Sequence, residues 1–109
     1  MDREEYVEAV LRVVEAIPPG RVMSYGAIAE YVGRGGPRQV GAVMASYGGP
    51  VPWWRVVRAD GTPPPCDDGE ARARYLDEGT PLRGRLDDGA TRIDMAAASW
   101  SPADDPDPA

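Results

Sequence analysis

Glycine and proline residues divide the first half of this chain into three short amphipathic segments. Residues 4–16 have valine and leucine at the spacing of one helical face, and a Pro-Pro-Gly run follows them. Ser24 is a good N-cap for a second helix that Gly33 ends, and Pro37 is a good first residue for a third helix that ends before Gly48. The pattern therefore predicts three consecutive helices.

The second and third segments are short, and a tight glycine-containing loop at residues 34–36 joins them, which indicates a helix-turn-helix. Residues 54–57 are typical of a strand, and the Asp-Gly pair at 60–61 favours a hairpin turn, so we expect a small β wing there. The predicted apolar faces of the two helices consist of Tyr25, Ile28, Ala29 and Val32 in the second helix and Val40, Val43, Met44 and Tyr47 in the third.

The second half of the chain is less regular. Asp68 is a candidate cap for a helix that runs to Gly79. The predicted fold is mainly α with a small β wing, a winged helix-turn-helix in a single domain over residues 1–100. Residues 101–109 are acidic and rich in proline, which predicts a disordered tail. Scattered apolar residues are expected to close the core: Leu86, Ile93, Met95 and Trp100.

The chain has no histidine and a single cysteine, Cys66. The usual general base and the commonest metal ligand are therefore missing, and neither an internal disulfide nor a cysteine-based zinc site can form. A chain of 109 residues has room for one modest core, so we expect no metal and no cofactor. No apolar run approaches the ~20 residues of a membrane span, and the start lacks the basic region of a signal peptide. We expect a monomeric, cytoplasmic protein that contacts no membrane.

The net charge of −6 is unevenly distributed along the chain. Residues 1–19 contribute −3 and residues 61–109 contribute −6, whereas residues 20–60, with five arginines against two acids, contribute +3. Charges are screened over about 8 Å at physiological salt. A positive face formed by residues 20–60 can therefore meet phosphates despite the distant acids; an ordinary solvated surface is the alternative.

The face of the third helix opposite to its apolar stripe has almost no large side chains, because after Arg38 it presents Gly41, Ala42 and Ala45. We refer to it as the bare face of this helix. A helix that reads bases in the major groove needs long polar side chains. Small residues suit the narrower minor groove, whose code is degenerate, so the pattern favours DNA binding without sequence preference. Close packing of these residues against another helix is the alternative.

Three segments, GRVMSYGAIAEYVG, PRQVGAVM and PVPWWRVVRADG, resemble in order and spacing the DNA-binding domain of the O6-alkylguanine-DNA alkyltransferases. In that family the third segment reads Pro-Cys-His-Arg-Val, and the cysteine accepts the alkyl group from the damaged base. Trp53 stands at the cysteine position and Trp54 at the histidine position. The first replacement is typical of the alkyltransferase-like proteins. The resemblance implies that the chain binds O6-alkylguanine in duplex DNA by minor-groove insertion and base flipping, without alkyl transfer, and marks the site for nucleotide excision repair.

The chemistry of the residues also argues against catalysis. The nitrogen lone pair of an indole belongs to the aromatic system, so Trp53 offers a stacking surface and one N–H donor but no nucleophile. Cys66 lies beside Asp67 and Asp68, which disfavour its thiolate, and no histidine is available to activate it. We therefore expect no enzyme activity.

By the resemblance, Arg38 matches the arginine that replaces the flipped nucleotide in the stack, and Tyr25 matches the tyrosine that turns the target phosphate. Tyr25 also falls on an apolar stripe, so a core position is its alternative. We expect Trp54 to pack beneath the site and Arg55 to brace the loop. The predicted DNA contacts are Ser24, Tyr25, Arg38, Gln39, Gly41, Ala42 and Ala45. The predicted lesion pocket is formed by Tyr25, Met44, Pro52, Trp53, Val57, Gly61 and Thr62.

Three other functions stay open at this point. The first is a catalytic alkyltransferase, which Trp53 and the missing histidine disfavour. The second is a sequence-specific winged-helix regulator, which would ignore O6-methylguanine. The third is a protein-interaction module without DNA affinity. The partners expected for the favoured interpretation are duplex DNA that contains O6-alkylguanine and, by the resemblance, proteins of nucleotide excision repair.

Overall fold

The computed structural model describes residues 2–64, 69–83 and 92–104. Helices dominate these residues, and two pairs of very short strands accompany them. The elements in chain order are α1 (Arg3–Ala16), β1 (Met23–Ser24), α2 (Tyr25–Val32), α3 (Pro37–Tyr47), a 3-10 turn (Trp53–Arg55), β2 (Val56–Val57), α4 (Glu70–Glu78), β3 (Leu82–Arg83), β4 (Arg92–Ile93), α5 (Met95–Ala98) and a second 3-10 turn (Pro102–Asp104).

Local signals set the limits of α1 and α2. The Asp2 side chain accepts a hydrogen bond from the Glu5 N–H at 2.9 Å and begins α1. Ser24 Oγ accepts from the Ala27 N–H at 3.0 Å and begins α2, as the sequence predicts. Gly33 ends α2 in the left-handed region with φ of 84°, a conformation that glycine adopts without steric cost.

Helices α2 and α3 pack against each other and against α1, which confirms the helix-turn-helix. Pro37 is the first residue of α3, and Gln39 Oε1 accepts from the Gly36 N–H at 2.9 Å. Val40 and Val43 of α3 are buried as predicted. Tyr47 is not, since 46% of its surface is exposed. As the last residue of α3, it lines an open groove beside α1 instead of reaching the core.

The strand predicted at residues 54–57 is only half correct. Val56 and Val57 form β2, which pairs in parallel with Met23 and Ser24 of β1. The residues before them form a 3-10 turn, in which the Arg55 N–H donates to Pro52 O at 3.0 Å. In this parallel register Arg55 would lie opposite Val22, but Val22 pairs elsewhere: its N–H donates to Ala98 O, and its carbonyl accepts from the Trp100 N–H.

The turn predicted at the Asp-Gly pair is present. The Arg58 N–H donates to Thr62 O at 2.9 Å, and the Gly61 N–H donates to Arg58 O at 2.9 Å. Gly61 has a φ of 87°, and a Cβ there would collide with the backbone of Ile93, so glycine is required. The antiparallel strand pair lies elsewhere, between β3 and β4. A mainly helical domain with small sheets is thus confirmed, but the hairpin does not cross the Asp-Gly turn in the described residues.

The interior consists of two hydrophobic clusters. The first lies between the helices α1, α2 and α3 and includes Trp100 from the end of the described chain. The second surrounds the fully buried Tyr75 of α4 and includes Val57 of β2 and Ile93 of β4. β2 contributes to both, because its Val56 belongs to the first cluster. The short β1–β2 pair therefore joins the two clusters.

The remaining predictions for the second half have mixed outcomes. A helix ends before Gly79 as expected, but Asp68, its predicted cap, and Leu86 lie outside the described residues. Ile93 and Trp100 are buried, as predicted. Of the predicted tail, Pro102–Asp104 form a 3-10 turn, and residues 105–109 lie outside the described part.

Candidate nucleic-acid interface

A cleft of about 710 Å³ opens between the start of α2, the length of α3 and the segment around the first 3-10 turn. One wall of the cleft is the face of α3 that carries small side chains. Trp53 of the 3-10 turn forms part of another wall. The residues that line the cleft are Tyr25, Pro37, Arg38, Gly41, Met44, Ala45, Gly48, Gly49, Trp53, Arg58 and Pro64.

The small residues of α3 do not pack against another helix. Ala42 and Ala45 are exposed, and a Cβ built on Gly41 would have no heavy atom within 4 Å among the described residues. Glycine inside a helix costs roughly 1 kcal/mol relative to alanine. No contact with the residues that the structure describes explains this glycine, so the alternative of helix packing is wrong for this face in that part of the chain. The space at Gly41 is open toward the cleft that it lines.

Tyr25 lies both at the edge of the core and at the cleft, the two locations that the sequence analysis left as alternatives. Its side chain packs against the first hydrophobic cluster and also lines the cleft. Burial raises the pKa of the Tyr25 hydroxyl, and the nearby charge of Arg58 opposes this rise. The hydroxyl is therefore neutral at physiological pH and can donate a hydrogen bond into the cleft.

The two adjacent tryptophans differ in their access to the cleft. Trp53 lines it and Trp54 does not; both pack against the second hydrophobic cluster and line a second groove, next to α4. Their rings meet edge to face, with centroids 5.6 Å apart and planes at 88°. The guanidinium of Arg74 lies 4.4 Å from the centroid of the Trp54 ring, and that of Arg55 lies 5.3 Å from it. Trp54 is therefore a fixed support for Trp53.

Arg55 braces this region from inside, as the sequence predicts. It donates to Ile17 O at 2.9 Å and through Nε to Glu78 Oε1 at 3.1 Å, and it also forms an ion pair with Glu78. The turn that holds both tryptophans is thus tied to the end of α1 and to α4.

Several predicted contact residues lie outside the cleft lining. Ser24 and Gln39 use their side-chain oxygens to cap helices. Gln39 and Ala42 line a separate groove beside α1. Pro52 lines a different groove, together with Trp54.

Three more residues of the predicted lesion pocket do not line the cleft. Val57 is fully buried in the second cluster. Gly61 is buried against the backbone of Ile93. Thr62 is half-buried, and its carbonyl accepts the hydrogen bond that closes the turn. The structure does bring Tyr25 and Trp53 together in the cleft, along with the α3 residues Arg38, Gly41, Met44 and Ala45.

Arg58 is the most informative lining residue that the sequence did not single out. Strand alternation does not identify it, because both residues of β2, Val56 and Val57, are fully buried and Arg58 follows them directly. Its signal in the sequence is its place in the segment of residues 20–60, which has a positive net charge. The other lining residues absent from the prediction are Pro37, Gly48, Gly49 and Pro64.

The cleft differs in charge from the molecule as a whole. The protein has a net charge of −6, yet Arg38 and Arg58 line the cleft and no carboxylate does so within the residues that the structure describes. Over the same residues, no group of three acidic, histidine or cysteine side chains could hold a metal ion. None of the described helices is long and apolar enough to cross a membrane. The ligand that fits this cleft best is an anion with an apolar or aromatic part.

The chain is similar to several proteins of known name. It is 39% identical over 66 residues to the DNA base-flipping protein of Escherichia coli, a match that covers 57% of this chain and 51% of that protein. It is 42% identical over 65 residues to Alkyltransferase-like protein 1 of Schizosaccharomyces pombe, which covers 57% of this chain and 60% of that protein. The chain thus spans about half the length of the bacterial relative.

Two solved structures share the fold. The crystal structure of S. pombe Atl1 in complex with damaged DNA containing O6-carboxymethylguanine superimposes with a TM-score of 0.79 and 31% identity, over 94% of this chain and all of that one. The structure of S. pombe ATL in complex with DNA gives a TM-score of 0.78 and 30% identity. Residues 5–78 match the family model of the 6-O-methylguanine DNA methyltransferase DNA-binding domain. The chain therefore belongs to the family of that DNA-binding domain, and its resemblance to the alkyltransferase-like proteins is confirmed.

Proposed function

We propose that this protein binds duplex DNA through the minor groove, rotates O6-alkylguanine into the cleft and holds it without chemical change. The observation that carries the proposal is Trp53, which lines the cleft where catalytic members of the family have their nucleophilic cysteine. A flat aromatic surface favours stacking with a base. It cannot accept an alkyl group, because its nitrogen has no free lone pair.

The rest of the cleft suits a flipped nucleotide. The bare face of α3 lets the helix backbone approach the floor of a groove about 6 Å wide. Arg38, exposed in the first turn of α3, can enter the stack and hydrogen-bond the orphaned base. Tyr25, at the N-terminus of α2, can contact the phosphate that turns with the nucleotide.

The absence of a nucleophile is the second argument. Among the described residues of the cleft, the only side-chain hydroxyl belongs to Tyr25, whose raised pKa disfavours the anion. A binding role needs no cofactor and no general base, which agrees with a chain that has no histidine. We expect the bound lesion to be released intact.

The named relatives support the same assignment. The E. coli relative is a DNA base-flipping protein, and the S. pombe relative was crystallised with DNA that contains O6-carboxymethylguanine. By extension, the tightly held lesion would mark its site for nucleotide excision repair, and the protein would act as a monomer in the cytoplasm. The handover to nucleotide excision repair rests on the resemblance alone.

A binding titration tests the proposal. Duplexes of one sequence, with and without a single O6-methylguanine, are titrated with the protein, and the recovered DNA is then analysed for the lesion. We expect tighter binding to the damaged duplex and complete return of the intact lesion. Methyl transferred to the protein would identify an alkyltransferase. Selection of a sequence motif without regard to the lesion would identify a regulator, and no DNA affinity would indicate a protein-interaction module.

A further inference from the structure

Arg58 occupies a well-defined position at the cleft. The parallel register pairs Ser24 with Val57, so that Arg58, the next residue, comes beside Tyr25 at the start of α2. Its backbone is fixed on both sides of the turn, because its N–H donates to Thr62 O and its carbonyl accepts from the Gly61 N–H, each at 2.9 Å. Arg58 and Tyr25 line the same cleft, and the charge of Arg58 opposes the rise that burial causes in the pKa of the Tyr25 hydroxyl.

The Arg58 side chain is exposed and has no hydrogen-bond or ion-pair partner in the described part of the chain. The nearest acid in sequence, Asp60, is already engaged: its Oδ1 accepts from the Thr62 N–H at 2.9 Å, and its Oδ2 lies 3.6 Å from Arg92. Arg55, by contrast, satisfies its guanidinium with Glu78 and Ile17 O. Hydrogen bonds from Thr62 lower the pKa of Asp60, and the charge of Arg58 adds to this effect. Arg58 nevertheless has a fixed backbone and a guanidinium that forms no hydrogen bond or ion pair with these residues.

The neighbours of Arg58 in the cleft define the ligand that this charge would prefer. Met44, Trp53 and Pro64 provide apolar contact for a base and its substituent. A neutral substituent that displaced water from Arg58 would offer at most one uncharged acceptor, as a carboxamide oxygen does, and would compensate only part of the lost hydration. A carboxylate would replace the lost water with charge-assisted, bidentate hydrogen bonds.

We propose that Arg58 is a specificity-determining residue that makes the cleft prefer O6 substituents ending in a carboxylate over neutral substituents of the same shape. This inference rests on the proposed function, since it concerns the same cleft. The negative group could also be a DNA phosphate near Tyr25. The two sources differ in an observable way, because a phosphate contact acts on every duplex, whereas a substituent contact acts only on the charged lesion.

The test compares three duplexes of one sequence: undamaged, with O6-carboxymethylguanine, and with the corresponding carboxamide, which has the same shape and no charge. We expect the wild-type protein to bind the carboxylate duplex roughly tenfold more tightly than the amide duplex, the scale of one charged hydrogen bond. The variant Arg58→Met should reduce this ratio to about one, as expected for a lost charged contact. The matched control Arg12→Met, an exposed arginine of α1 that does not line the cleft, should keep it.

Each other result has a distinct meaning. A wild-type ratio near one, with both lesions bound more tightly than undamaged DNA, would overturn the inference and leave the proposed function intact. An equal loss of affinity for all three duplexes in Arg58→Met, with a shallower salt dependence, would assign Arg58 to a phosphate and also overturn it. Failure of the wild-type protein to prefer either lesion over undamaged DNA would overturn the proposed function itself.

Discussion

Arg38 lies in the first turn of α3 with an exposed side chain that forms no hydrogen bond or ion pair within the described residues. Its removal should leave the free energy of unfolding within about 0.5 kcal/mol of wild type, as for other exposed positions. If Arg38 enters the base stack, Arg38→Ala should weaken binding to O6-methylguanine DNA by about 1–3 kcal/mol, the scale of one stacking contact. Equilibrium titration of damaged and undamaged duplexes measures this loss.

The control for Arg38 is Arg12→Ala, an equally exposed arginine on α1. It should weaken binding little, and equally for damaged and undamaged duplexes. Unchanged discrimination between the two duplexes in Arg38→Ala would remove Arg38 from the lesion site, whatever its effect on overall affinity.

Substitutions at Gly41 should affect the stability of the fold and the binding of DNA in different ways. A Cβ at this position would meet no described heavy atom within 4 Å, so Gly41→Ala should stabilise the fold by roughly 0.5–1 kcal/mol, the usual cost of glycine in a helix. A larger side chain, in Gly41→Leu, should fold as well but block close approach of α3 to the groove. Chemical denaturation measures the first effect, and DNA titration measures the second.

Ser46→Leu is the matched control for Gly41→Leu, because Ser46 is exposed on the same helix and does not line the cleft. It should bind damaged DNA like the wild-type protein. Full binding by Gly41→Leu would show that the bare face of α3 is not the contact surface.

At the scale of elements, the turn Trp53–Arg55 depends on a support that lies far away in sequence. Arg74 of α4 covers the Trp54 ring at 4.4 Å, and Trp54 in turn holds Trp53 edge to face. Arg74→Ala should lower the free energy of unfolding by about 0.5–1 kcal/mol, as for an exposed cation–π contact. It should also loosen Trp53 and thereby reduce lesion affinity and shift the tryptophan fluorescence.

Arg74→Lys, which keeps the cation, should recover part of the affinity and of the fluorescence signal. Arg83→Ala, an exposed arginine in β3, is the control for the loss of one positive charge. If both alanine variants reduce lesion affinity equally, the effect is one of net charge and Trp54 is no support for Trp53.

The helices could be predicted from the sequence because their signals are local. Ser24, Gly33 and Pro37 act within a few residues of their own position, and each marks the helix limit that the structure has. Strand pairing is not local. If β2 began one residue earlier, Arg55 would lie opposite Val22, but the backbone of Val22 bonds to Ala98 and Trp100, which come from far along the chain.

The same distinction applies to the site. The α3 residues that line the cleft follow from helical spacing, which places Arg38, Gly41 and Ala45 on one face. Val57 and Gly61 were misplaced because their burial depends on Ile93, which approaches from β4. No pattern within residues 50–62 reveals that contact.

The whole molecule carries a negative charge that opposes approach to DNA at long range. The acids concentrate in residues 1–19 and 61–109, whereas the cleft is lined by Arg38 and Arg58. At physiological salt, charges are screened over about 8 Å, so distant acids have little effect on the potential in the cleft. The charge pattern therefore suits a protein that binds at one cleft and avoids general adhesion to DNA.

The partly buried ion pair between Arg55 and Glu78 links elements from both halves of the chain. The side chains are 13% and 11% exposed, and the pair connects the end of α1, the tryptophan turn and α4. Partial burial would raise the pKa of Glu78, but hydrogen bonds from Arg55 and from the Gly20 N–H outweigh it and hold the pKa below its usual value. The carboxylate is thus more acidic in the folded protein than in the unfolded chain.

A folded-state pKa below the unfolded value means that the contact stabilises the protein above about pH 4.3, the value for an unfolded chain, and that this stability is lost as the pH falls through the folded pKa. Glu78→Gln should therefore cost about 1.5–3 kcal/mol at pH 7, the scale of a hydrogen bond to a charged group. The difference from wild type should narrow as the pH falls from 6 to 3. Urea denaturation at each pH measures this difference in the free energy of unfolding.

The control is Asp77→Asn, an exposed neighbour on α4, which should differ little from wild type in the free energy of unfolding. A difference between Glu78→Gln and wild type that stays constant down to pH 3 would contradict the assigned role of the pair.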